Sequence, residues 1–292
     1  MELGVVILNY NDADSSISLV DNIKKYEIID KIILVDNKST DDSYLKLLNL
    51  ASDKVDVIQT EENKGYSAGN NFGIKYAISK YCFDKILISN PDVFFQKENL
   101  VGMVKCLNEN SEIAMVGCTM IRPKFKENAP GWRLPTYKSE LLTSLVILNH
   151  LFEKKLIRYT KEHFSSEISF VDVVQGCFFM IKTKVFLEVN LFDDDVFLFC
   201  EEQILGYKLK SKGYKAVILN SYSFIHNEGG SIGKNIGSKI NKYVLHQNSK
   251  RVYLKKYLKI SRCKLVIFDI VSQLGKLERI LLLNIKKVIK FN

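Results

Sequence analysis

Two adjacent carboxylates, Glu201 and Glu202, are placed where one of them could act as a general base. They follow the largely apolar stretch 192–200 (FDDDVFLFC) and open a helix predicted over 201–212. Burial among apolar side chains raises the pKa of a carboxyl group, which makes it a competent base near neutral pH. Acidic residues are also favoured in the first turn of any helix by the macrodipole. The residues themselves leave both interpretations open.

A further carboxylate, Asp92, belongs to the triplet Asn90-Pro91-Asp92, directly after the apolar stretch 85–89 (KILIS). Mg²⁺ prefers oxygen ligands and typically takes one or two carboxylates together with substrate phosphates. His226 follows the strand-like stretch 221–225 (SYSFI) and could ligate a metal ion or contact a phosphate group. Each residue also has an ordinary interpretation, since an aspartate can cap a turn and a lone histidine can face solvent.

Polar residues also end the other predicted strands. Asn9 and Tyr10 close the first apolar stretch and Asp36 closes the second. The Asp36 carboxylate could accept a hydrogen bond from a ribose hydroxyl or a base N–H, or it could form an Asx turn that leads into a helix. The glycine-bearing segment 63–73 opens another helix, whose N-terminal amides could face phosphate. This segment is neither a G-x-G-x-x-G fingerprint nor a P-loop.

An alternation of strands and helices across the first 120 residues must position these side chains. Continuous apolar stretches are typical of strands buried on both faces, and the segments between them have helical spacing or N-cap residues. Such alternation indicates parallel strands with right-handed crossovers, and ligands then bind at the carboxyl ends of the strands. The predicted strands are 4–9, 31–36, 55–59, 85–89 and 114–120, and the predicted helices lie over 16–26, after 39–42 and from about residue 70.

The pattern changes after Arg122. Residues 122–170 contain three of the four prolines and the single tryptophan, with an apolar helical stretch over 141–157. We expect this segment to be an insertion that shapes an acceptor pocket. The alternation then resumes, with predicted elements at 171–182, 184–190, 192–199, 201–212 and 215–219.

Six segments occur together in a fixed order: VVILNYN, ILVDNKSTDDS, NKGYSAGNNFGI, ILISNPDV, FDDDVFLFCEE and HNEGGS. As an ordered set they resemble glycosyltransferase family 2, in particular its rhamnosyltransferase-like and capsular polysaccharide branch. The resemblance implies an α/β protein of the GT-A fold, with a Rossmann-like, mostly parallel central sheet flanked by helices. It divides the chain into a catalytic domain over 1–236, made of a nucleotide-sugar-binding half (1–122) and an acceptor-binding half (123–236), and a helical C-terminal region over 237–292.

The resemblance also assigns roles to the residues. Glu201 and Glu202 match the acidic pair of the family, of which Glu202 is the preferred base. Mg²⁺ or Mn²⁺ would bind at Asp92 with His226 nearby, although Asn90 stands where the metal motif of the family begins with an acid. Ile204 and Lys208 depart from the Asp and Arg that many relatives carry after the pair. The donor-binding positions are Asn9, Tyr10, Asp36, Gly65, Asn70 and Asn90.

The expected activity is metal-dependent, inverting sugar transfer in the synthesis of a surface polysaccharide. The donor would be a nucleotide-diphosphate sugar, such as dTDP-rhamnose or a UDP-hexose, and the acceptor a lipid-linked saccharide. A sugar nucleotidyltransferase is a rival, but residues 11–14 (NDAD) would repel the triphosphate that such an enzyme binds after its first strand. A non-catalytic sugar-nucleotide-binding protein is a second rival, which the presence of both candidate catalytic carboxylates disfavours.

The positive charge of the chain is concentrated at its end. Residues 239–292 carry 14 Lys and Arg against two acidic residues, whereas residues 1–238 have a slight acidic excess and the whole chain is +9. A nucleic-acid-binding protein would carry its charge on the binding face of its body, so we expect no nucleic-acid partner. Apolar residues at helical spacing in this basic region indicate a helix that lies at an anionic membrane surface. Since no stretch resembles a signal peptide or a spanning helix, we expect a cytoplasmic protein, peripheral at the inner face of the cell membrane. The alternative is that the apolar stripe packs on the catalytic body or on a second copy, as in a homodimer.

Overall fold

Four apolar stretches in the first 90 residues form one parallel unit, as predicted. The computed structural model describes residues 1–123, 130–227 and 238–291, with side chains described as far as residue 285. The strands pair in the order β3-β2-β1-β4, with Asn9 directly opposite Asp36. Their ranges are β1 (Leu3–Asn9), β2 (Lys31–Asp36), β3 (Val55–Gln59) and β4 (Lys85–Ser89).

Helices connect these strands and cover the sheet. Every residue of β2 and β4 is buried, which explains why their sequences show continuous apolar runs rather than alternation. Leu19, Val20 and Ile23 on the first helix are completely buried at the predicted helical spacing. The third helix begins earlier than the sequence predicted, because the chain turns at Gly65 and is helical from Tyr66. These helices are α1 (Ala13–Ile23), α2 (Ser43–Leu48) and α3 (Tyr66–Lys80).

The second half of the chain extends the same sheet with strands of both directions. Among the described residues, nine strands form one sheet in the order β3-β2-β1-β4-β10-β6-β11-β5, and β8 pairs with β11. β10 runs antiparallel to β4 and β6, whereas β11 runs parallel to β6. The strands are β5 (Val93–Phe94), β6 (Ile113–Ile121), β7 (Gly131–Trp132), β8 (Ile168–Val171), β9 (Val173–Val174), β10 (Phe178–Lys182) and β11 (Lys215–His226), and β7 pairs only with β9.

Several predicted elements differ from those observed. The stretch 171–182 is broken by Gly176 into separate short strands rather than one. Residues 192–199 form an irregular loop, and 141–157 belongs to two helices rather than one. β11 continues through 215–226 with a bulge, so it includes the strand-like stretch before His226. The helices are α4 (Lys97–Glu109), α5 (Tyr137–Leu142), α6 (Val146–Leu156), a 3₁₀ turn (Glu162–Phe164), α7 (Thr183–Glu188) and α8 (Glu201–Ser211).

The C-terminal region is helical, and its first part packs on the catalytic body. It consists of α9 (Lys239–Val252), a π-helical turn (Tyr253–Tyr257) and α10 (Arg262–Phe291). Tyr253 is completely buried and packs against Val196 and Ile204. The predicted boundary between residues 236 and 237 lies outside the described residues. Within the part of the chain that is described, none of the helices combines the length and the apolar character needed to cross a membrane.

Candidate active site

The sheet brings the predicted site residues at the strand ends to one edge. Asn9 and Asp36 end β1 and β2, and Asn90 follows the adjacent β4. His226 ends β11, where it pairs with Val93 of β5, the residue after Asp92. Because β10 is antiparallel to β4, the start of β10 lies at this edge too. This is the edge at which open α/β sheets bind their ligands.

Asp36 lies at the end of β2 on this edge and is completely buried. Its Oδ1 accepts hydrogen bonds from Asn9 Nδ2 at 2.9 Å and from Ser39 Oγ at 2.5 Å. Its Oδ2 accepts from Ser39 N at 3.0 Å, which forms the Asx turn that the sequence allowed, and from Gln59 Nε2 at 2.9 Å. Asn9, also completely buried, accepts from Ser16 Oγ at 2.9 Å. Asp36 therefore ties together the ends of β1, β2 and β3, and a nucleobase bonded to it must replace one of these partners.

Gly65 joins the loop before α3 to the loop before α8. Its φ is +95°, a left-handed conformation that side chains with a Cβ rarely adopt. A Cβ at this position would lie 2.0 Å from the carbonyl oxygen of Phe197, and the Tyr66 amide donates to the same oxygen at 2.7 Å. Asn37 Nδ2 donates to the Gly65 carbonyl at 3.2 Å. Glycine is therefore required at this position by close backbone packing between two loops of the site.

Two neighbouring asparagines on α3 have different environments. Asn70 is completely buried; its Nδ2 donates to the Tyr66 carbonyl at 3.0 Å, and its Oδ1 has no hydrogen-bond partner among the described residues. Asn71 holds the loop 192–200 through both backbone polar groups of one residue, Phe192. Its Nδ2 donates to Phe192 O at 3.1 Å and its Oδ1 accepts from Phe192 N at 3.1 Å. The sequence singled out Asn70, and the contribution of Asn71 was missed.

Gly176 and Cys177, the two residues before β10, connect several parts of the site. The Tyr66 hydroxyl donates to the Gly176 carbonyl at 2.8 Å, and the Asn90 amide donates to the Cys177 carbonyl at 2.8 Å. The Glu202 side chain lies beside Gly176, because a Cβ at residue 176 would be 3.8 Å from Glu202 Oε2. Sequence reasoning missed this junction; its one local signal is a glycine at the entrance of a buried strand.

Glu201 and Glu202 form the first turn of α8 and are shielded from solvent. Glu201 is 8% exposed and Glu202 is half-buried, and the Oε2 atom of each is buried with no hydrogen-bond partner among the described residues. Burial and then the charge of Glu202 hold the pKa of Glu201 well above its usual range. Burial also raises the pKa of Glu202. Both carboxyl groups thus hold a proton more tightly than an ordinary glutamate, which is the direction of shift that a general base requires.

Asp92 and His226 form a partly buried pair at the same edge. His226 Nε2 lies 3.2 Å from Asp92 Oδ1, and the Asn227 amide donates to the Asp92 carbonyl at 3.0 Å. Burial acts to lower the pKa of His226, but hydrogen bonds with Asp92 and Cys177 raise it to about 10. A protonated His226 presents positive charge, whereas a neutral one presents a ligand nitrogen. Residues 228–231 of the predicted motif lie outside the described residues.

The metal-ligating groups of Asp92 and His226 suit a divalent cation that also binds substrate phosphate. Asp92 offers a carboxylate and His226 an imidazole. Among the described residues no group of three or more His, Cys, Asp or Glu side chains could hold a metal ion by itself. Mg²⁺ commonly takes one or two carboxylates and completes its shell with phosphate oxygens and water. The residues present therefore fit a metal bound together with a nucleoside diphosphate.

Comparison with known proteins agrees with this architecture. Residues 4–189 match the model of the family described as glycosyl transferase family 2. Two relatives are each 24% identical to the chain: the low-salt glycan biosynthesis hexosyltransferase Agl10 of Haloferax volcanii, with 78% of this chain and 67% of the relative covered, and the rhamnosyltransferase WbbL of Escherichia coli K12, with 76% and 82% covered.

Solved structures share the fold. A mannosyltransferase from Pyrobaculum calidifontis, in complex with GDP-Man and Mn²⁺, superposes with a TM-score of 0.59 at 14% identity. The match covers 89% of this chain, which spans 65% of the length of that structure. The fold is GT-A, as predicted, and the family match covers more than half of the sequence. The chain belongs to glycosyl transferase family 2.

Proposed function

We propose that the protein transfers a sugar from a nucleotide-diphosphate donor to a saccharide acceptor with inversion at the anomeric carbon. The observation that carries this proposal is that Glu201 and Glu202 each have a buried carboxyl oxygen without a hydrogen-bond partner among the described residues. Glu202 lies beside Gly176, next to the ligand edge of a GT-A sheet. Buried polar atoms without partners are uncommon, and at an active site a substrate group often supplies the missing hydrogen bond. An acceptor hydroxyl is the group that an unpartnered carboxylate would bind.

The order of residues along the edge suggests how the donor lies. The base would rest near Asn9, Tyr10 and Asp36, beyond the end of β1 and β2. The diphosphate would lie toward Asp92 and His226, and the half-buried Asn90 stands between the two groups. The sugar would then lie toward Gly65, Asn70 and Gly176. This placement follows the direction of the sheet from β2 through β4 toward β11.

Glu202 is the preferred base. As a residue it is more accessible than Glu201, and its carboxylate lies beside Gly176. In the reaction the acceptor oxygen forms a bond to the anomeric carbon while the bond from that carbon to the diphosphate oxygen breaks. The acceptor proton moves to Glu202, and the diphosphate leaves with the electron pair. General-base assistance is typically worth about 10²–10⁴ in rate.

Glu201 would stay protonated while Glu202 is ionised, since the two carboxyl groups share one turn of α8 and two negative charges that close disfavour each other. The leaving diphosphate would lie beside Asp92 and His226. Mg²⁺ or Mn²⁺ held by Asp92 and a neutral His226 would neutralise the charge that develops on it.

The acceptor is proposed to be lipid-linked, and the enzyme to work at an anionic membrane surface. α10 exposes a row of apolar side chains on the side opposite to its packed residues Phe268, Ser272 and Gly275. No charged residue interrupts this row, which consists of Val266, Ile267, Ile270, Leu274, Leu277 and Leu281. The region around it carries the basic excess of the chain. An interfacial helix places such apolar residues among the lipids and its basic residues near the anionic headgroups.

A donor screen tests the proposal. Purified protein is incubated with single nucleotide sugars, including dTDP-rhamnose and UDP-hexoses, with Mg²⁺ or Mn²⁺ and a lipid-linked saccharide acceptor, and release of nucleoside diphosphate is measured. With the active donor, Glu202→Gln should lose at least about 10²-fold in turnover while retaining donor binding. Glu109→Gln, an exposed carboxylate on α4, serves as the control and should retain full turnover.

The outcomes are distinct. Donor binding without turnover by the unmodified protein would identify a non-catalytic binding protein. Loss of turnover in Glu201→Gln but not in Glu202→Gln would move the base by one residue. Unchanged turnover in both variants would refute the mechanism, and a product of retained anomeric configuration, read by NMR, would refute inversion.

A further inference from the structure

The loop that precedes Glu201 and Glu202 has an unusual backbone. Phe199 and Cys200 both have left-handed φ values, +69° and +66°, although neither is glycine. Such conformations are unfavourable for residues with a Cβ and persist only where the surrounding structure imposes them. Cys200 is the N-cap residue of α8, and its side chain makes no capping hydrogen bond. The orientation of the first turn of α8 must therefore be fixed by contacts from elsewhere.

α9 supplies contacts to this loop. Ser249 Oγ donates to the Leu198 carbonyl at 2.7 Å, and the His246 ring lies 5.3 Å from the ring of Phe199. The π-helical turn after α9 continues the contact, because Lys256 pairs with Asp193 at 2.8 Å. The C-terminal region thus covers the loop along its length.

A buried ion pair connects α9 to α5 and α8. Lys250 Nζ lies 2.7 Å from Glu140 Oε2, and their side chains are 6% and 2% exposed. Lys250 also donates to Thr143 Oγ1 at 3.0 Å. The other carboxylate oxygen of Glu140 accepts a hydrogen bond from Gln203 Nε2 at 3.1 Å, and Gln203 follows Glu202 directly in α8. The charged pair therefore holds the first turn of α8 through one side-chain hydrogen bond.

Cys200 shows how close this charged pair lies to the catalytic pair. Burial raises the pKa of the Cys200 thiol well above its usual value, and the charges of Glu140, Lys250, Glu202 and Glu201 all act on it. The two sets of charges thus flank one buried side chain at the start of α8. A buried ion pair generally adds little stability compared with an apolar pair of similar volume. The main effect expected of the Glu140–Lys250 pair is therefore on the orientation of the first turn of α8.

We propose that Glu140, Lys250 and Gln203 are positioning residues for the catalytic turn of α8, which makes α9 part of the catalytic unit. The inference rests on the proposed function, because it assigns the network to the orientation of the Glu202 carboxylate. A displacement of a catalytic group by about 1 Å can cost roughly 10²-fold in rate. Loss of the network should therefore reduce kcat by about 10- to 100-fold and leave donor affinity unchanged, since none of the proposed donor-binding residues belongs to the network.

The test uses two variants of the full-length chain. Glu140→Gln/Lys250→Met removes both charges together, because either single change would leave a buried unpaired charge and could unfold the protein. Gln203→Leu keeps the ion pair and removes only its connection to α8. Arg251→Met/Asp269→Asn is the matched control: it removes an ion pair of 2.9 Å from the adjacent residue of α9, but this pair is exposed and leads to α10. Thermal unfolding, donor Kd and kcat are measured for each variant.

A second measurement separates positioning from general structural support. In the Glu202→Gln background, Gln203→Leu should cause no further loss of turnover, because its effect acts through the carboxylate already removed. A purely structural contribution would lower turnover equally in both backgrounds. Wild-type kcat in Gln203→Leu, or an equal loss in the Arg251→Met/Asp269→Asn control, would overturn the proposal. Full turnover in Glu202→Gln would instead refute the proposed base, so the two failures are distinguishable.

Discussion

The Glu202 side chain lies against Gly176, such that a Cβ added to Gly176 would stand 3.7 Å from Glu202 Cβ and 3.8 Å from its Oε2. These are ordinary van der Waals separations, so alanine is accommodated without displacement of the chain. Gly176→Ala would place an apolar methyl group against the carboxylate, which disfavours its charged form, and should raise its pKa further. In a plot of kcat against pH, the rise on the acidic side should therefore move to higher pH. Relative to wild type, Gly176→Ala should lose more turnover at pH 6 than at pH 9.

The control for this experiment is the same substitution in a protein that lacks the carboxylate. Gly176→Ala added to Glu202→Gln should leave the residual pH profile unchanged. A profile for the single variant that coincides with that of wild type would show that Glu202 is not the titrating base.

Metal dependence is expected to act through Asp92. Asp92→Asn keeps the shape of the side chain but removes the single carboxylate that the Asn90-Pro91-Asp92 turn offers. We expect loss of turnover and loss of the metal-dependent part of nucleoside diphosphate binding, measured by calorimetry with and without Mn²⁺. Asp195→Asn, an exposed carboxylate near the C-terminal region, is the control. Full activity of Asp92→Asn, or of the unmodified protein in excess EDTA, would contradict the prediction.

The buried Glu201 carboxyl group should lower the free energy of unfolding at neutral pH. Its folded pKa is raised above the unfolded value of 4.5, so the folded state still holds a proton that the unfolded state has released. Stability therefore falls as pH rises from the unfolded pKa toward the folded pKa. Glu201→Gln should melt at a higher temperature than wild type at pH 8 and at about the same temperature at pH 4. For domains of about 150–250 residues, each 1 kcal/mol corresponds to about 2–4 °C.

The exposed Glu109→Gln should show no such pH-dependent gain. A Glu201→Gln variant that is less stable than wild type at pH 8 would mean that the ionised carboxylate makes favourable interactions in the folded state, and that the pKa of Glu201 is not raised.

The ends of the first strands could be predicted from the sequence because local patterns determine them. Runs such as KIILVD and KILIS are apolar throughout and end at polar residues, so their limits and their common edge follow without knowledge of the fold. The direction of β10 could not be predicted in this way, since FFMIK is equally compatible with parallel and antiparallel pairing.

The contacts that complete the site are not local. The hydrogen bond between Tyr66 and Gly176 and the ion pair between Glu140 and Lys250 each join residues more than 100 positions apart in the sequence. A pattern within a short window contains no signal for such pairs, and a buried Lys or Glu is indistinguishable in sequence from a solvated one. The roles predicted for individual site residues remain predictions, which substitutions at Asp92, Glu201 and Glu202 will decide.

Gly65 should be far less tolerant of alanine than Gly213. Both have positive φ values, +95° and +82°, which residues with a Cβ adopt only at a cost, so each substitution is strained by the backbone alone. Gly213 has open space around it, whereas a Cβ at Gly65 would collide with the carbonyl of Phe197. Gly65→Ala should therefore lose clearly more stability in urea unfolding and should also lose turnover. Equal losses for the two variants would show that the Gly65 contact is easily relieved.

The C-terminal region should bind anionic membranes through the exposed apolar row of α10. Leu274 and Leu281 are 51% and 62% exposed in that row. Each basic residue near an anionic surface contributes about 1 kcal/mol, and the 14 Lys and Arg of residues 239–292 supply several such charges. Full-length protein should therefore sediment with phosphatidylserine-containing vesicles but not with neutral ones, and added salt should weaken the binding because it screens surface charge.

Variants separate the contribution of the row from that of charge alone. Leu274→Ser/Leu281→Ser should reduce co-sedimentation at low salt, because the apolar contact with the lipid is lost while every basic residue is kept. Leu45→Ser on α2 is the matched control, since Leu45 is 68% exposed but lies outside the C-terminal region. Protein that stays in the supernatant with anionic vesicles at low salt would contradict membrane binding. If light scattering then shows a dimer that the double variant abolishes, a second copy of the chain covers the row instead.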